Sequence, residues 1–199
     1  MSNQSLIYKN IYLYRFIINI LYVGRYGSRF KNIIKLIKDS KQIVDLCFGD
    51  IYIAKYCKDN GVRWTGYDLN ESFVKNAINK GYNAYQADII KLETIPTCDV
   101  CIIQGSLYHF HDSIENLLKL IFSSTKRLII SEPIKNLSSS NGIIGQMARL
   151  SANAGKGNER FRYSEKSIID MLDIYKNIFN FEYAIVSKKR DIIIEILVK

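Results

Sequence analysis

The stretch Gln42–Asp50 restricts the fold of this chain more than any other. It reads Gln-Ile-Val-Asp-Leu-Cys-Phe-Gly-Asp, an apolar run of high strand propensity that is closed by a tight turn around Gly49. Ile53, Ala54 and Cys57 then recur at helical spacing. A buried strand that leads through a glycine turn into a helix is the first unit of an open, mostly parallel sheet that binds a nucleotide-like cofactor.

The same strand–helix unit repeats along the chain. Strand-like runs end near residues 47, 68, 86, 104 and 131, with helical patterns between them. Glu132-Pro133 is expected to stop the fifth run, and Asp112 and Ser164 are expected to cap the helices that follow them. Repeats at this spacing predict a doubly wound, mostly parallel α/β sheet. Two further strand-like runs, 183–187 and 192–198, are joined by a polar turn and predict an antiparallel hairpin. We therefore expect seven strands with an antiparallel last strand, preceded by N-terminal helices.

The chain is the size of one domain. Its 199 residues include 48% hydrophobic and 24% charged residues, which is typical of a soluble globular protein with a sizeable core. We divide it into an N-terminal helical cap (1–40), a cofactor-binding core (41–136), a lid insertion (137–163) and a C-terminal helix with the hairpin (164–199). The lid is assigned because serines, glycines and basic residues interrupt the strand–helix alternation there.

The net charge of +9 is concentrated at the N-terminus, where residues 1–40 contain seven basic residues and one acidic residue. Such an excess attracts an anionic partner, such as a phosphorylated substrate, a membrane surface or RNA, although solvated helix faces are the simpler and favoured explanation. The apolar stretch 11–23 contains Arg15, lacks a signal-peptide cleavage site and is too short and polar to span a bilayer. We expect a cytoplasmic protein without a transmembrane segment, with peripheral membrane contact as the remaining option.

The cysteines do not predict a metal site. Cys98 and Cys101 form one C-x-x-C pair without a second pair, and Cys101 begins an apolar strand pattern in which a small buried side chain is expected. No cluster of acidic residues and histidines is visible in the sequence either. We therefore expect no metal.

Three aspartates occupy positions that suit a nucleoside ligand. Asp68 ends the second strand 19 residues after Gly49, the spacing at which a carboxylate accepts ribose hydroxyls, or it caps the helix that begins at Asn70. Asp88 ends the third strand, where it can accept a hydrogen bond from an adenine amino group or simply form a turn. Asp45 lies inside the first strand, where a buried carboxylate organises the turn or faces a cationic part of the cofactor.

The turn itself favours a cofactor without phosphate. There is no G-x-G-x-x-G, because Cys47, Gly49 and Ile51 fill the alternate positions. Asp50 at the start of the helix is expected to repel a pyrophosphate, which binds at helix N-termini. S-adenosyl-L-methionine (SAM) has no phosphate and contains a sulfonium cation, which nearby carboxylates tolerate. SAM is therefore favoured over a dinucleotide.

Four motifs, in order, resemble those of class I SAM-dependent methyltransferases over nearly the whole chain. They are Val-Asp-Leu-Cys-Phe-Gly-Asp50, Gly-Tyr-Asp68-Leu-Asn, Ala-Asp88-Ile and Cys-Ile-Ile-Gln-Gly-Ser-Leu-Tyr-His-Phe-His111. Cys47 and Ile51 stand where the family commonly has glycines, and their side chains are expected to crowd the turn. The alternatives are that the small side chain of Cys47 is tolerated and that Ile51 only packs the helix onto the sheet. The resemblance implies a SAM site formed by Asp45, Leu46, Cys47, Gly49, Asp68, Leu69, Asp88, Ile89, Gln104 and Gly105.

Three residues after the fourth strand are candidates for catalysis. His109 follows that strand at the edge of the cleft and titrates near neutral pH, as a general base must, although a capping or packing histidine is the simpler alternative. His111 is the next candidate, with Tyr108 as an orienting group. The resemblance implies in-line methyl transfer, in which a base is needed only if the acceptor must lose a proton.

Residues near the predicted entrance indicate the acceptor. Tyr22, Arg25 and Tyr26 either end a helix or lie over the mouth of the cofactor site. The lid contains Arg149, Arg160 and Arg162, and arginines favour carboxylates or phosphates. We expect a small anionic or amphipathic acceptor, such as a secondary metabolite or a lipid-linked molecule.

Two alternatives remain open: an RNA methyltransferase that uses the basic N-terminal helices, and a SAM-binding scaffold without activity. The sequence does not predict the oligomeric state.

Overall fold

The computed structural model of this chain describes residues 11–22, 26–134 and 161–199. The helices are α1 (Ile11–Leu21), α2 (Ser28–Ile37), α3 (Tyr52–Asp59), α4 (Glu71–Asn79), α5 (Ile114–Phe122) and α6 (Glu165–Ile178). The strands are β1 (Gln42–Leu46), β2 (Arg63–Asp68), β3 (Asn83–Gln86), β4 (Val100–Gln104), β5 (Arg127–Pro133), β6 (Phe181–Lys188) and β7 (Asp191–Val198). Short 3-10 helices cover Ile89–Lys91 and Leu107–Ser113.

The seven strands form one sheet in the order β3-β2-β1-β4-β5-β7-β6. The neighbours from β3 to β5 are parallel, whereas β7 is antiparallel to both β5 and β6. The predicted doubly wound sheet with an antiparallel last strand is thereby confirmed. All five residues of β4 are buried, which explains why this central strand is a continuous apolar run.

Helices cover both faces of the sheet. Along β1, Val44 and Leu46 belong to the core cluster that contains the apolar residues of α5 and α6. Ile43, on the opposite face, belongs to the cluster formed with α2, α3 and α4. This three-layer arrangement places the carboxyl ends of β1, β2, β4 and β5 at one edge, where open α/β sheets bind their ligands.

The predicted start of α6 is confirmed, and two other predicted boundaries are wrong. Ser164 caps α6 through a capping box with Ser167. Asp112 does not cap α5, because it lies inside a 3-10 helix and the next residue takes the N-cap position. β5 does not stop before Glu132–Pro133 but includes both residues, because the ladder with β7 continues to Pro133 opposite Asp191.

Most of the predicted lid, 137–163, lies outside the described residues. At its C-terminal end Tyr163 is 5% exposed and belongs to the core cluster of β4, α5 and α6. Within the described ranges, no helix combines the length and the apolar character needed to cross a bilayer.

Candidate cofactor and acceptor site

The turn after β1 has the backbone of a glycine-rich turn, although Cys47 stands at a position where glycine is expected. Cys47 and Gly49 both have left-handed backbones, with φ angles of 55° and 57°. The Cys47 N–H donates to the carbonyl of Tyr67 at 2.7 Å, which ties the turn to β2. A cysteine in this conformation costs on the order of 1 kcal/mol relative to an ordinary backbone. The predicted tight turn is therefore present, with its strain located at Cys47.

Asp68 fixes this turn from the end of β2. Its Oδ2 accepts the Gly49 N–H at 2.9 Å and its Oδ1 accepts the Asn70 N–H at 2.8 Å. Burial raises the pKa of Asp68 to about 6. The side chain that caps α4 is that of Asn70, whose Oδ1 accepts from Ser72 and Phe73. The alternative that Asp68 caps this helix is therefore wrong.

Asp45 lies beneath the turn rather than on it. It is completely buried, and its Oδ2 accepts a hydrogen bond from Trp64 Nε1 at 3.2 Å. Burial raises the pKa of Asp45 to about 7. The side chain of the next residue, Leu46, is also fully buried in the core.

The structure decides two expectations about the turn. Ile51 does not crowd it and instead packs the helix onto the sheet, as the alternative had it, because its side chain is buried in the core cluster with α2 and α3. Asp50 does not present an unpaired charge at the helix start, because Arg15 of α1 pairs with it at 2.5 Å. The expected repulsion of a pyrophosphate by Asp50 therefore loses its basis.

The residues predicted to contact adenine lie one strand further along the same edge. Asp88 follows β3 and begins the 3-10 helix Ile89–Lys91, so the turn alternative describes its backbone correctly. Ile89 itself is 3% exposed, whereas Leu69, beside Asp68, is 37% exposed. Because β2 and β3 are parallel neighbours, Asp68 and Asp88 lie at adjacent strand ends.

Buried polar atoms without a partner gather at this edge of the sheet. Among the described residues, those without a hydrogen-bond partner include Asp45 Oδ1, Gln104 Oε1, Ser131 Oγ and Glu132 Oε1, near the ends of β1, β4 and β5. Gly105, directly after β4, has a left-handed backbone with φ of 61°. Buried polar groups in folded proteins are nearly always paired, so this concentration marks a place for a ligand or ordered water.

The three catalytic candidates lie on the 3-10 helix after β4. The ring of His109 is 4.0 Å from that of Tyr108, centroid to centroid. His111 stacks on Phe161 at 4.3 Å, and its Nδ1 lies 3.0 Å from the carbonyl oxygen of Tyr108. Burial raises the pKa of Tyr108, which stays protonated at neutral pH. The guanidinium carbon of Arg162 lies 3.8 Å above the Tyr108 ring, so the structure brings these two predicted residues together.

The N-terminal cap supplies aromatic groups to the same edge. Tyr22 donates its hydroxyl proton to the carboxylate of Asp191, at 2.9 Å from each oxygen, and Tyr26 packs edge-on against Phe30. Tyr14 of α1 lies against the turn, with its hydroxyl 3.4 Å from where a Cβ on Gly49 would stand. Arg25, Arg149 and Arg160 lie outside the described residues.

Sequence reasoning missed two charged residues of this region. Glu132, in β5, is 1% exposed, and its Oε2 accepts the Leu107 N–H at 3.1 Å. Burial raises the pKa of Glu132 to about 8. Arg29 of α2 has a side chain only 10% exposed and lies 3.4 Å from Asp191. Glu132 could have been found by the pattern that located Asp68, a carboxylate near the end of a strand. Nothing in the sequence distinguishes Arg29 from the other basic residues of the cap.

No metal centre emerges from the part of the chain that the structure describes, which contains no group of three potential metal ligands. None of the four cysteines forms a disulfide, and Cys98 and Cys101 are buried in the core.

Solved structures with similar folds are methyltransferases. A SAM-dependent methyltransferase from Archaeoglobus fulgidus is 15% identical and superimposes with a TM-score of 0.65 over 92% of this chain and 99% of its own. Human N-acetylserotonin methyltransferase, solved with SAM, is 17% identical with a TM-score of 0.63 over 96% of this chain and 57% of its own. The plantazolicin methyltransferase BpumL, solved with S-adenosylhomocysteine (SAH), is 14% identical with a TM-score of 0.62, covering 91% of this chain and 85% of its own.

Sequence comparison identifies the family. No curated protein matches the chain. A family model described as methionine biosynthesis protein MetW matches residues 28–138, which is more than half of the chain and spans α2 to β5. The chain therefore belongs to the MetW family and has the class I SAM-dependent methyltransferase fold.

Proposed function

We propose that this protein binds SAM at the carboxyl edge of β1, β2 and β4 and transfers its methyl group to a small anionic or amphipathic acceptor. The observation that carries the proposal is the turn after β1, in which left-handed Gly49 donates its N–H to the Asp68 carboxylate at 2.9 Å. This contact holds a carboxylate beside a backbone that a ligand can approach closely. When bound, SAM supplies a methyl carbon activated by a positive sulfur.

The residues at the turn fit the nucleoside part of SAM. Each oxygen of Asp68 accepts one backbone N–H and has a lone pair left for a ribose hydroxyl. Asp88 at the adjacent strand end is our candidate for the adenine amino group. Leu69, partly exposed beside Asp68, and Ile89 would contribute apolar contacts to the base.

The ends of β1 and β4 fit the amino-acid part. Gly105 has a left-handed backbone and no side chain, so a ligand can approach the backbone closely at the end of β4. The unpaired oxygens of Asp45 and Gln104 favour a positively charged group over an anion. Leu46, with its side chain in the core, would contribute through its backbone alone.

The surroundings of Tyr108 support an anionic acceptor. Arg162 lies over the Tyr108 ring, and the protonated hydroxyl of Tyr108 can donate but not accept a proton. We assign Tyr108 the orientation of the acceptor and His109 the removal of its proton where it has one to lose. His111, stacked on Phe161, would hold the 3-10 helix in place.

An RNA acceptor is less well supported. RNA readers need exposed aromatic side chains on which bases can stack. Tyr22 and Tyr26, which would serve that purpose, are instead engaged with Asp191 and Phe30.

Transfer from methyl-labelled SAM tests the acceptor class. The purified protein is incubated with a small-molecule extract and, separately, with total RNA. We expect label in the small-molecule fraction only. Label in RNA would overturn the proposed acceptor, and no transfer to either would support a SAM-binding scaffold without activity.

A further inference from the structure

Helix α1 carries apolar side chains on its outer side as well as on its inner side. On the inner side, Tyr14 and Arg15 lie against the turn after β1. On the outer side, Leu13, Phe16 and Ile20 recur at three- and four-residue spacing and are 40%, 63% and 38% exposed. We call these three residues the α1 stripe. A continuous apolar stripe of this kind on an exposed helix marks an interaction surface.

The helices beside α1 are basic. α1 lies on the side of the sheet covered by α2, α3 and α4, because Ile11 belongs to their core cluster and the Tyr14 ring is 4.9 Å from that of Phe73 in α4. Those three helices contain five exposed lysines and two acidic residues. On the opposite face, α5 and α6 contain three exposed lysines and four acidic residues. The positive charge of the described helices is therefore concentrated on the side that α1 occupies.

The lysines of α2 and α3 are available to an anionic partner. Lys31, Lys35 and Lys55 are exposed and form no ion pair with any residue that the structure describes. On the opposite face, each lysine of α5 and α6 lies 2.6 to 3.9 Å from a carboxylate of its own helix. An anion that binds at α2 and α3 therefore breaks no internal ion pair at these three lysines.

An anionic membrane matches both parts of this surface. Anionic headgroups attract lysines that lie near them, and the apolar side of an interfacial helix enters the boundary between headgroups and acyl chains. RNA would match the lysines only, because the aliphatic side chains of Leu13 and Ile20 offer no aromatic face on which a base can stack. The combination of charge and apolar side chains favours lipid over RNA.

We propose that α1, α2 and α3 dock this protein on an anionic lipid surface. The α1 stripe would lie in the headgroup boundary, and the lysines of α2 and α3 would lie over the headgroups. Because α1 also contacts the turn after β1, docking would bring the candidate site close to the membrane. The docking does not require SAM, so its test is independent of the proposed function.

Vesicle flotation of the full chain tests this surface. The vesicles are phosphatidylcholine alone, or phosphatidylcholine with about one-third phosphatidylglycerol. We expect binding to the mixed vesicles to be at least tenfold stronger than to the neutral ones and to weaken as NaCl is added. Phe16→Ser, and separately the double change Lys31→Gln with Lys35→Gln, should each weaken binding to the mixed vesicles at least fivefold.

Helix α6 supplies matched controls. Ile174 is 63% exposed, as Phe16 is, and Lys166 is an exposed lysine on the opposite face. Ile174→Ser and Lys166→Gln should each change vesicle binding less than twofold. Phe16→Trp gives a second readout should Phe16→Ser fail to fold. Because the native Trp64 is only 7% exposed, a shift of emission to shorter wavelength on mixed vesicles would report insertion of the new indole.

Three results would overturn the proposal. The first is no binding of the wild type to mixed vesicles at low salt, and the second is an equal loss of binding in the α1 or α2 variants and the α6 controls. The third is occupation of the surface by something else in the absence of vesicle binding. RNA retardation that depends on Lys31 and Lys35 but not on Phe16 would assign the surface to RNA. A dimer in light scattering that Phe16→Ser dissociates would assign the α1 stripe to a second copy of the chain.

Discussion

Arg15 in α1 pairs with Asp50 in the turn after β1, with 2.5 Å between Arg15 Nη2 and Asp50 Oδ1. The Asp50 side chain is only 6% exposed, so the pair is shielded on the side of the turn. Tyr14, the residue before Arg15, rests against Gly49 in the same turn. The N-terminal cap is thus attached to the segment that we propose for the cofactor.

Arg15→Ala should lower the free energy of unfolding by about 1–2 kcal/mol. Removing Arg15 leaves the buried Asp50 carboxylate without its partner. Because the Arg15 side chain is 32% exposed, the loss of stability should be smaller than for a fully buried ion pair. Urea denaturation measures the change. Lys31→Ala, an exposed change on α2, should stay within about 0.5 kcal/mol of the wild type. Equal stability of the two variants would show that the pair does not stabilise the cap.

Cys47 provides a test of the left-handed turn. Cys47→Val should destabilise the fold by about 2 kcal/mol, because a β-branched residue is strongly disfavoured at a φ of 55°. Cys47→Gly should change stability by less than about 1 kcal/mol, since relief of strain offsets the larger entropy of the unfolded glycine. Thermal unfolding of both variants measures the two expected changes in stability. A valine variant as stable as the glycine variant would contradict the left-handed backbone.

The raised pKa of Glu132 predicts a specific pH dependence of stability. The unfolded carboxyl ionises near 4.5, whereas the folded one ionises near 8, so the folded state holds the extra proton between these values. Stability that is fully present below pH 4.5 is therefore lost as pH rises to about 8, by an amount on the order of 5 kcal/mol. Asp45 and Asp68, with pKa values raised to about 7 and about 6, act in the same direction.

Glu132→Gln isolates this contribution. The variant keeps an acceptor for the Leu107 N–H but does not titrate. Urea midpoints at pH 5 to 9 should therefore fall less steeply with rising pH than those of the wild type. Parallel curves for the two proteins would mean that Glu132 ionises in its ordinary range.

His109 is expected to act in turnover rather than in cofactor binding. If the acceptor loses a proton, His109→Gln should lower methyl transfer about 10²-fold or more while SAH affinity stays within twofold. Labelled SAM with the small-molecule fraction, together with calorimetry, gives both readouts. Unchanged transfer would assign His109 to packing against Tyr108.

The sequence was most informative where physical patterns are local. Continuous apolar runs predicted the central strands β1 and β4, and the glycine after the first run predicted the tight turn at Gly49. The structure confirms both strands and the turn. Asp68 was found because a strand end and a fixed spacing locate it.

Contacts across the chain were not predictable. The Arg15–Asp50 pair joins residues 35 positions apart, and the charge of Asp50 had no visible partner in the sequence. Arg29 and Asp191 likewise meet only because α2 and β7 approach the same sheet edge. These long-range pairs changed the charge balance that sequence reasoning had assigned to the turn.

Titration of SAH into the wild type, Asp68→Ala and Asp59→Ala tests the central claim most directly. Asp59 is an exposed aspartate at the end of α3, so its variant matches the change in charge away from the turn. We predict that the wild type and Asp59→Ala bind SAH with the same affinity and that folded Asp68→Ala binds at least tenfold more weakly. Absence of SAH binding to the wild type, or equal binding by all three proteins, would contradict the proposed cofactor site.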